Sequence, residues 1–506
     1  MMLISALQKN RHAIPLRCAC AGLALSLSCM APAQVAAQPA GIPSMGAASS
    51  AELSPALERT LGDAIMEQGR RDPTYISDPD VNQYLTSLGR KLVANAPGGT
   101  SQQITVFGVR DPQINAFALP GGYIGVHSGL LVAAGSESEL AGVVAHEIGH
   151  VLQRHIARGM TQQSQSNHVL IASLAAALLA ALSGSGDLAM GVAAFGQAAA
   201  VDQQLGFSRQ AEQEADRVGL AMMSKAGFDP QGMVRMFQRL GNASRLNEGR
   251  GGSVYTSTHP LSIQRLSDIE NRLAEAPRVR HQDSDTFWYV RAKLRVMQAE
   301  GGLAQGSAID ALRMETQGQS GVQQAAAWYG LAYAAWRKRD IEGADQALRK
   351  AQAGGREAPE LASLAVEIAL ARGNIQEALS MVNAAWRKWP SSQGLALKRA
   401  EVMQKAGGDK DMVDFLNTLI RKWPDMATLY KLRAQAQERL NMQVEARRSM
   451  AQYYEMTGAL PTAVEQLRQA RDMSKDFYVK SELDVQIRNL KQRLEDDRAL
   501  LERFKS

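Results

Sequence analysis

Residues 146–150 read His146-Glu147-Ile148-Gly149-His150. On a helix, positions i and i+4 share one face, so both imidazoles can reach one metal ion. Glu147 follows the first histidine and stands beside that ion, placed to take a proton from a bound water. Zinc lowers the pKa of such a water towards about 7, which makes hydroxide available at neutral pH. That is the chemistry of metal-assisted peptide hydrolysis. The plainer alternative is a pair of structural histidines on an amphipathic helix.

A third ligand must come from elsewhere. Leu152 and Ile156 stand where a three-histidine site would continue. His155 lies five residues past His150, about 140° round a continuous helix, and is expected to point away. A carboxylate from another helix is therefore needed, and Ala211-Glu212-Gln213-Glu214-Ala215-Asp216 supplies the candidates. Glu212 and Asp216 are i and i+4 on one face. One can bind the ion while the other accepts the second N–H of a ligand histidine. Glu214 falls about 200° round the helix and is expected in solvent. An ordinary charged helix face is the competing explanation of this segment.

The elements that must hold these groups follow from periodicity. Residues 56–71 and 79–94 have helical apolar spacing, punctuated by Pro73 and Pro79. A strand is expected from Ile104 to Val109. A strand pair is expected at 114–119 and 123–126, turned by Pro120-Gly121-Gly122. Ser136 to Met160 reads as one helix, with Ser136 or Ser138 as N-cap. His127 then sits on the second strand of the pair near the cleft, while His168 and His281 face solvent or cap helices. Residues 168–201 are apolar in two pieces, each short for a membrane span. They form either helices buried against protein or a mobile lid or hairpin making peripheral membrane contact. From about residue 280 the pattern is continuous helix. Arg387-Lys388-Trp389-Pro390 recurs as Arg421-Lys422-Trp423-Pro424, and Ala344, Ala378, Met412 and Ala446 also fall 34 apart. That period and residue order match the tetratricopeptide helix–turn–helix, with the phase drifting from Gly458 onwards.

Composition narrows the chemistry further. The chain has 506 residues and a formal net charge of +6, with Cys18, Cys20 and Cys29 its three cysteines. Lys9, Arg11 and Arg17 precede an uncharged, Leu- and Ala-rich stretch and then small residues, the pattern of a secretory signal peptide. Cleavage is expected after Ala37, with Ala33 as the other candidate and a lipoprotein signal at Cys29 the weaker reading. Loss of residues 1–37 leaves 53 basic against 50 acidic residues and no cysteine. Disulfides, cysteine proteases and thiol oxidoreductases are thereby excluded. No basic stripe interleaved with aromatics supports nucleic-acid binding. The expected division is signal peptide 1–37, flexible leader 38–55, metallopeptidase domain 56–275 and repeat domain 280–506.

Asn115-Ala116-Phe117-Ala118 with Pro120-Gly121-Gly122, Gly129-Leu130-Leu131, the 146–150 motif, Phe207-Ser208-Arg209 and Glu212 through Asp216 resemble one family. It is the gluzincin group that contains the HtpX-like membrane proteases and the CAAX prenyl proteases. With a signal peptide and a tetratricopeptide tail, the chain is similar to the periplasmic members that attend outer-membrane β-barrel assembly. The resemblance implies a mainly α fold: a zincin-type α+β peptidase domain with a small sheet, then an all-α repeat domain. It implies one Zn2+ per chain bound by His146, His150 and Glu212, Glu147 as general base, and Asp216 orienting a ligand histidine. His259, in Thr258-His259-Pro260-Leu261, matches a family histidine that approaches the metal as a regulatory fourth ligand; Arg265 belongs to the same segment. By residue type alone, His259 is a helix-entry residue before Pro260.

The implied activity is a periplasmic zinc metalloendopeptidase that degrades misassembled outer-membrane β-barrel proteins and gives chaperone-like help to their assembly. Its implied partners are unfolded or stalled barrel proteins and the barrel-assembly complex. A substrate strand would pair with the edge at Asn115, Ala116 and Phe117. Two other classes stay open: a repeat-based adaptor of that machinery, and a membrane-associated prenyl-type protease.

Overall fold

Helix starts are written locally. In the computed structural model, which describes residues 54–100, 102–162, 207–246, 254–275, 279–354 and 356–502, Ser54 caps helix α1 (Pro55–Gly69) by accepting from the Leu57 N–H. Asp78 caps α2 (Pro79–Val93) in the same way. Both helices place proline at the first position, where its missing N–H costs nothing. The expected signal peptide with its cysteines, most of the expected leader, and the apolar segment 168–201 lie outside the described residues.

Strands β1 (Thr105–Val109), β2 (Ala116–Leu119) and β3 (Tyr123–His127) form a three-stranded sheet in the order β1-β3-β2. β3 is central, parallel to β1 and antiparallel to β2. The tight turn into β3 needs glycine: Gly122 has φ +88°, and a Cβ there would meet the Gln103 carbonyl oxygen at 2.3 Å. β2 is an edge strand, yet Asn115 and all four of its residues are buried.

After the short helix α3 (Ser128–Ala133), Ser136 opens α4 (Glu137–Leu152) by accepting from the Glu139 N–H. The Glu139 carboxylate reaches back to the Gly135 N–H at 2.8 Å, a variant of the capping box. Residues from Glu137 to Val151 are buried along the whole length of α4. It packs against β2, α6 (Arg209–Lys225) and α7 (Gln231–Leu246). At Gly149 the helices α4 and α6 nearly touch: a Cβ would stand 2.8 Å from the Ala215 carbonyl oxygen.

The expected single helix from Ser136 to Met160 is in fact two. α4 ends at Leu152, Arg154 adopts φ +53°, and α5 (His155–Gln162) starts in a new direction. Left-handed backbone at a non-glycine residue is uncommon and persists where the surroundings hold it. Here the Arg154 guanidinium meets Glu58 of α1 at 3.0 Å.

Beyond α8 (Val254–Thr258), α9 (Ile263–Glu275) and α10 (Asp285–Met297), the described residues form helices joined by short turns. α11 (Gly301–Gly318) is followed by antiparallel pairs: α12 (Gly321–Arg337) with α13 (Ile341–Gly354), and α14 (Pro359–Ala371) with α15 (Ile375–Lys388). Next come α16 (Gln393–Lys405) with α17 (Asp409–Lys422), and α18 (Ala427–Arg439) with α19 (Gln443–Met456). α20 (Leu460–Met473) and the longer α21 (Phe477–Glu502) end the series. Ala344, Ala378, Met412 and Ala446, the residues spaced by 34, are all buried at the helix contacts. The repeated Lys-Trp-Pro has a physical role, because Lys422 donates to the Pro390 carbonyl of the preceding unit.

One apolar core runs from Ile76 through α4 and on to Ile368 in α14. The join is tied by polar contacts as well. Lys293 of α10 is buried against Asp78 and Asp80 at 2.6 and 3.0 Å. Gln83 exchanges hydrogen bonds with the Ser391 carbonyl and the Gln393 N–H, and Arg493 of α21 pairs with Glu67 of α1. His281, expected to face solvent or cap a helix, lies at this join between the Gly227 carbonyl, just past the end of α6, and the Glu137 carboxylate.

The close α4–α6 approach predicts that Gly149→Ala destabilises the chain by about 1–3 kcal/mol, as overpacking does. Gly241→Ala, in α7 with open space around it, should stabilise it by about 0.5–1 kcal/mol. Thermal melts of the two variants, moving in opposite directions, check this.

Candidate metal centre

The i, i+4 spacing on α4 places the His146 and His150 rings 4.6 Å apart, with their Nε2 atoms 3.0 Å from each other. α6 brings Glu212 alongside: its carboxylate lies 3.4 Å from each Nε2. His259, which closes the short helix α8, contributes Nδ1 at 3.0 Å from Glu212 and 3.4 Å from His146. One ligand atom from each of His146, His150, Glu212 and His259 falls within 4.8 Å of the others. Glu147 lies beside them, with His259 Nε2 at 3.6 Å.

The sequence-derived pair Glu212 and Asp216 faces this point as its spacing requires. Asp216 stands 2.9 Å from His146 Nδ1, on the outer side of that ring. Arg265 of α9 spans both carboxylates, with Nη1 at 2.6 Å from Glu212 and a two-pronged contact of 2.8 Å on each arm to Asp216. Ala116 and Phe117 lie on β2 and Asn115 immediately precedes it, all three buried, and His127 is buried at the end of β3.

Two residues depart from expectation. Because the chain bends at Arg154, His155 does not point away: its Nδ1 lies 2.9 Å from His150 Nδ1. Glu214 is not solvated either. Its carboxylate meets His155 Nε2 at 3.2 Å and Arg158 at 2.6 Å. Three aromatic rings complete the wall. Phe207 lies 3.9 Å from the His150 ring, Tyr255 stacks on His259 at 4.6 Å, and Phe237 meets His146 edge-on at 5.7 Å. Phe207 belongs to the Phe207-Ser208-Arg209 segment that carries the family resemblance; Tyr255 and Phe237 carried no signal in the sequence.

Electrostatics follow from burial and pairing. Burial pushes the Glu147 carboxyl up, against the pull of His259 and His146. Burial acts the same way on Glu212, but the charge on His259 and hydrogen bonds from His146, His150 and His259 hold it well below the usual range. Burial depresses His150, while hydrogen bonds to Asp216 and Glu212 outweigh it at His146 and raise that ring to about 9. Both oxygens of Glu147 and Nε2 of His259 are buried without a hydrogen-bond partner. Unmet acceptors around converging imidazole and carboxylate atoms fit a bound cation.

Residues 79–273 match the model of peptidase family M48. The beta-barrel assembly-enhancing protease of Escherichia coli (strain K12) is 31% identical over 467 residues, 92% of this chain and 92% of that protein. The putative beta-barrel assembly-enhancing protease of Vibrio cholerae is 37% identical over 293 residues, 57% of this chain and 58% of that protein. The mitochondrial metalloendopeptidase OMA1 of Schizosaccharomyces pombe is 35% identical over 207 residues, 40% of this chain and 56% of that protein. The chain belongs to peptidase family M48, alongside the beta-barrel assembly-enhancing proteases. It is a metalloprotease, and its family implies a metal cofactor.

Arg265 offsets two carboxylates that are almost fully buried. Arg265→Met should therefore cost about 3–5 kcal/mol of stability, as breaking a buried ion pair does. Denaturant unfolding of the metal-free variant measures it.

Proposed function

We propose that this chain is a periplasmic zinc metalloendopeptidase that removes misassembled outer-membrane β-barrel proteins and assists their assembly. The observation that carries the proposal is the buried cluster of His146, His150, Glu212 and His259 beside the unmet carboxylate of Glu147. Its donor set, nitrogen-rich with one carboxylate, is the set zinc takes in hydrolases. We assign residues 56–275 to the peptidase unit and 280–506 to the repeat unit. The names of the relatives support the substrate class, and the export signal read at residues 1–37 supports the compartment.

His146, His150 and Glu212 hold the ion, which supplies an acidified water and a Lewis acid when bound. Glu147 takes the proton at its carboxylate and gives it to the leaving amine. Its burial raises its affinity for that proton. Asp216, 2.9 Å from His146 Nδ1, is placed to take its proton and so to fix which nitrogen faces the metal. His259 approaches the same point and holds the enzyme off until it moves. The edge of β2 at Asn115, Ala116 and Phe117 takes the substrate backbone as an added strand. Since that edge is buried, its cover must shift before a peptide can pair. Pairing through backbone selects extended chains over particular side chains, which suits an unfolded barrel strand. The repeats carry the substrate or the barrel-assembly complex.

An adaptor role without proteolysis is the competing function. Glu147→Gln separates the two: cleavage of an unfolded barrel protein should fall at least 100-fold with zinc content unchanged. Persisting cleavage would remove Glu147 from its role. Full complementation of a barrel-assembly defect by the same variant would favour the adaptor. The other alternative is a membrane-bound prenyl-type protease; among the described residues no helix is long and apolar enough to cross a membrane.

A further inference from the structure

We propose that His155 and Glu214 form a second outer support of the metal centre, holding His150 as Asp216 holds His146. The inference rests on the ligand assignment above. The two ligand rings present equivalent faces: Nε2 of each points into the cluster, and Nδ1 of each points out. An ion on Nε2 leaves the proton on Nδ1, so each outer nitrogen must find an acceptor. For His146 the group at 2.9 Å is the Asp216 carboxylate, itself gripped by Arg265 and placed to take that proton. For His150 the group at 2.9 Å is His155 Nδ1. It can accept only if the His155 proton sits on Nε2, and there Glu214 stands at 3.2 Å to receive it. Glu214 is in turn fixed by Arg158 at 2.6 Å and Gln210 at 3.0 Å. Every proton in the series His150–His155–Glu214 has one donor and one acceptor.

The backbone is shaped to make this contact. On an unbroken helix His155 would lie about 140° away from His150. The left-handed turn at Arg154 brings it back, at a conformational cost that the Glu58 contact helps offset. His155 is 2% exposed, so its polar atoms have these partners in place of water. The two supports differ in kind. One is a charged carboxylate; the other is a neutral ring that passes the link to a carboxylate further out.

The test is zinc affinity of the full chain, with zinc alone competed against a chromophoric chelator. His155→Leu, which removes the acceptor, should weaken zinc binding about 10–100-fold, the usual effect of losing an outer partner of a metal ligand. His155→Asn, whose amide oxygen can accept from Nδ1–H, should recover part of that loss. Wild-type affinity in His155→Leu, or Asn no better than Leu, would overturn the proposal. If the metal-free Leu variant does not fold, Glu214→Leu, which leaves no acceptor for His155 Nε2–H, serves instead: unchanged zinc affinity there would equally overturn it. His150→Ala is the control. Should it keep zinc affinity, the ligand assignment fails; should it lose zinc while His155→Leu keeps it, only the second support fails.

Discussion

Ionisable groups taken out of water must be paired, and that constraint organises this protein. His146, Glu147, His150, Glu212, Asp216, His259 and Arg265 are each no more than 2% exposed. A lone buried charge is prohibitively costly, so each must find an opposite charge, a hydrogen bond or a metal ion. Arg265 offsets Glu212 and Asp216, and Asp216 in turn meets His146. What remains uncompensated is concentrated at Glu147 and the inward faces of the rings, where catalysis by a metalloprotease would take place.

That pairing depends on three segments converging from distant parts of the chain. α4 can be buried along its whole length because the sheet, α6 and α7 surround it. Its contact with α6 is close enough that only glycine fits at residue 149. The loop–helix run from Tyr255 to Arg265 then closes the cluster with His259 above and Arg265 behind. The repeat helices share a core with this unit and touch α1 and α2 through Lys293, Gln83 and Arg493.

Much of this was legible in the sequence, for reasons of periodicity. The i, i+4 spacing at His146/His150 and at Glu212/Asp216 is a local rule, and each pair faces inward as that rule requires. The sheet followed from alternation and a Pro-Gly-Gly turn, and the repeats from a period of 34. The bend at Arg154 was not legible, because a left-handed arginine has no local signal; it is held by Glu58, nearly a hundred residues away in sequence. His155 and Glu214 were misplaced for that reason alone. His259 entered only through family resemblance, and the clamp of Arg265 on Glu212 and Asp216 needs a contact spanning about fifty residues.

The central claim is that Glu212 completes a zinc site with His146 and His150. Metal analysis of the purified full chain tests it most directly, comparing the wild type with Glu212→Ala. The account predicts close to one zinc per wild-type chain and a large loss in the variant. A normal zinc content without the Glu212 carboxylate would contradict it.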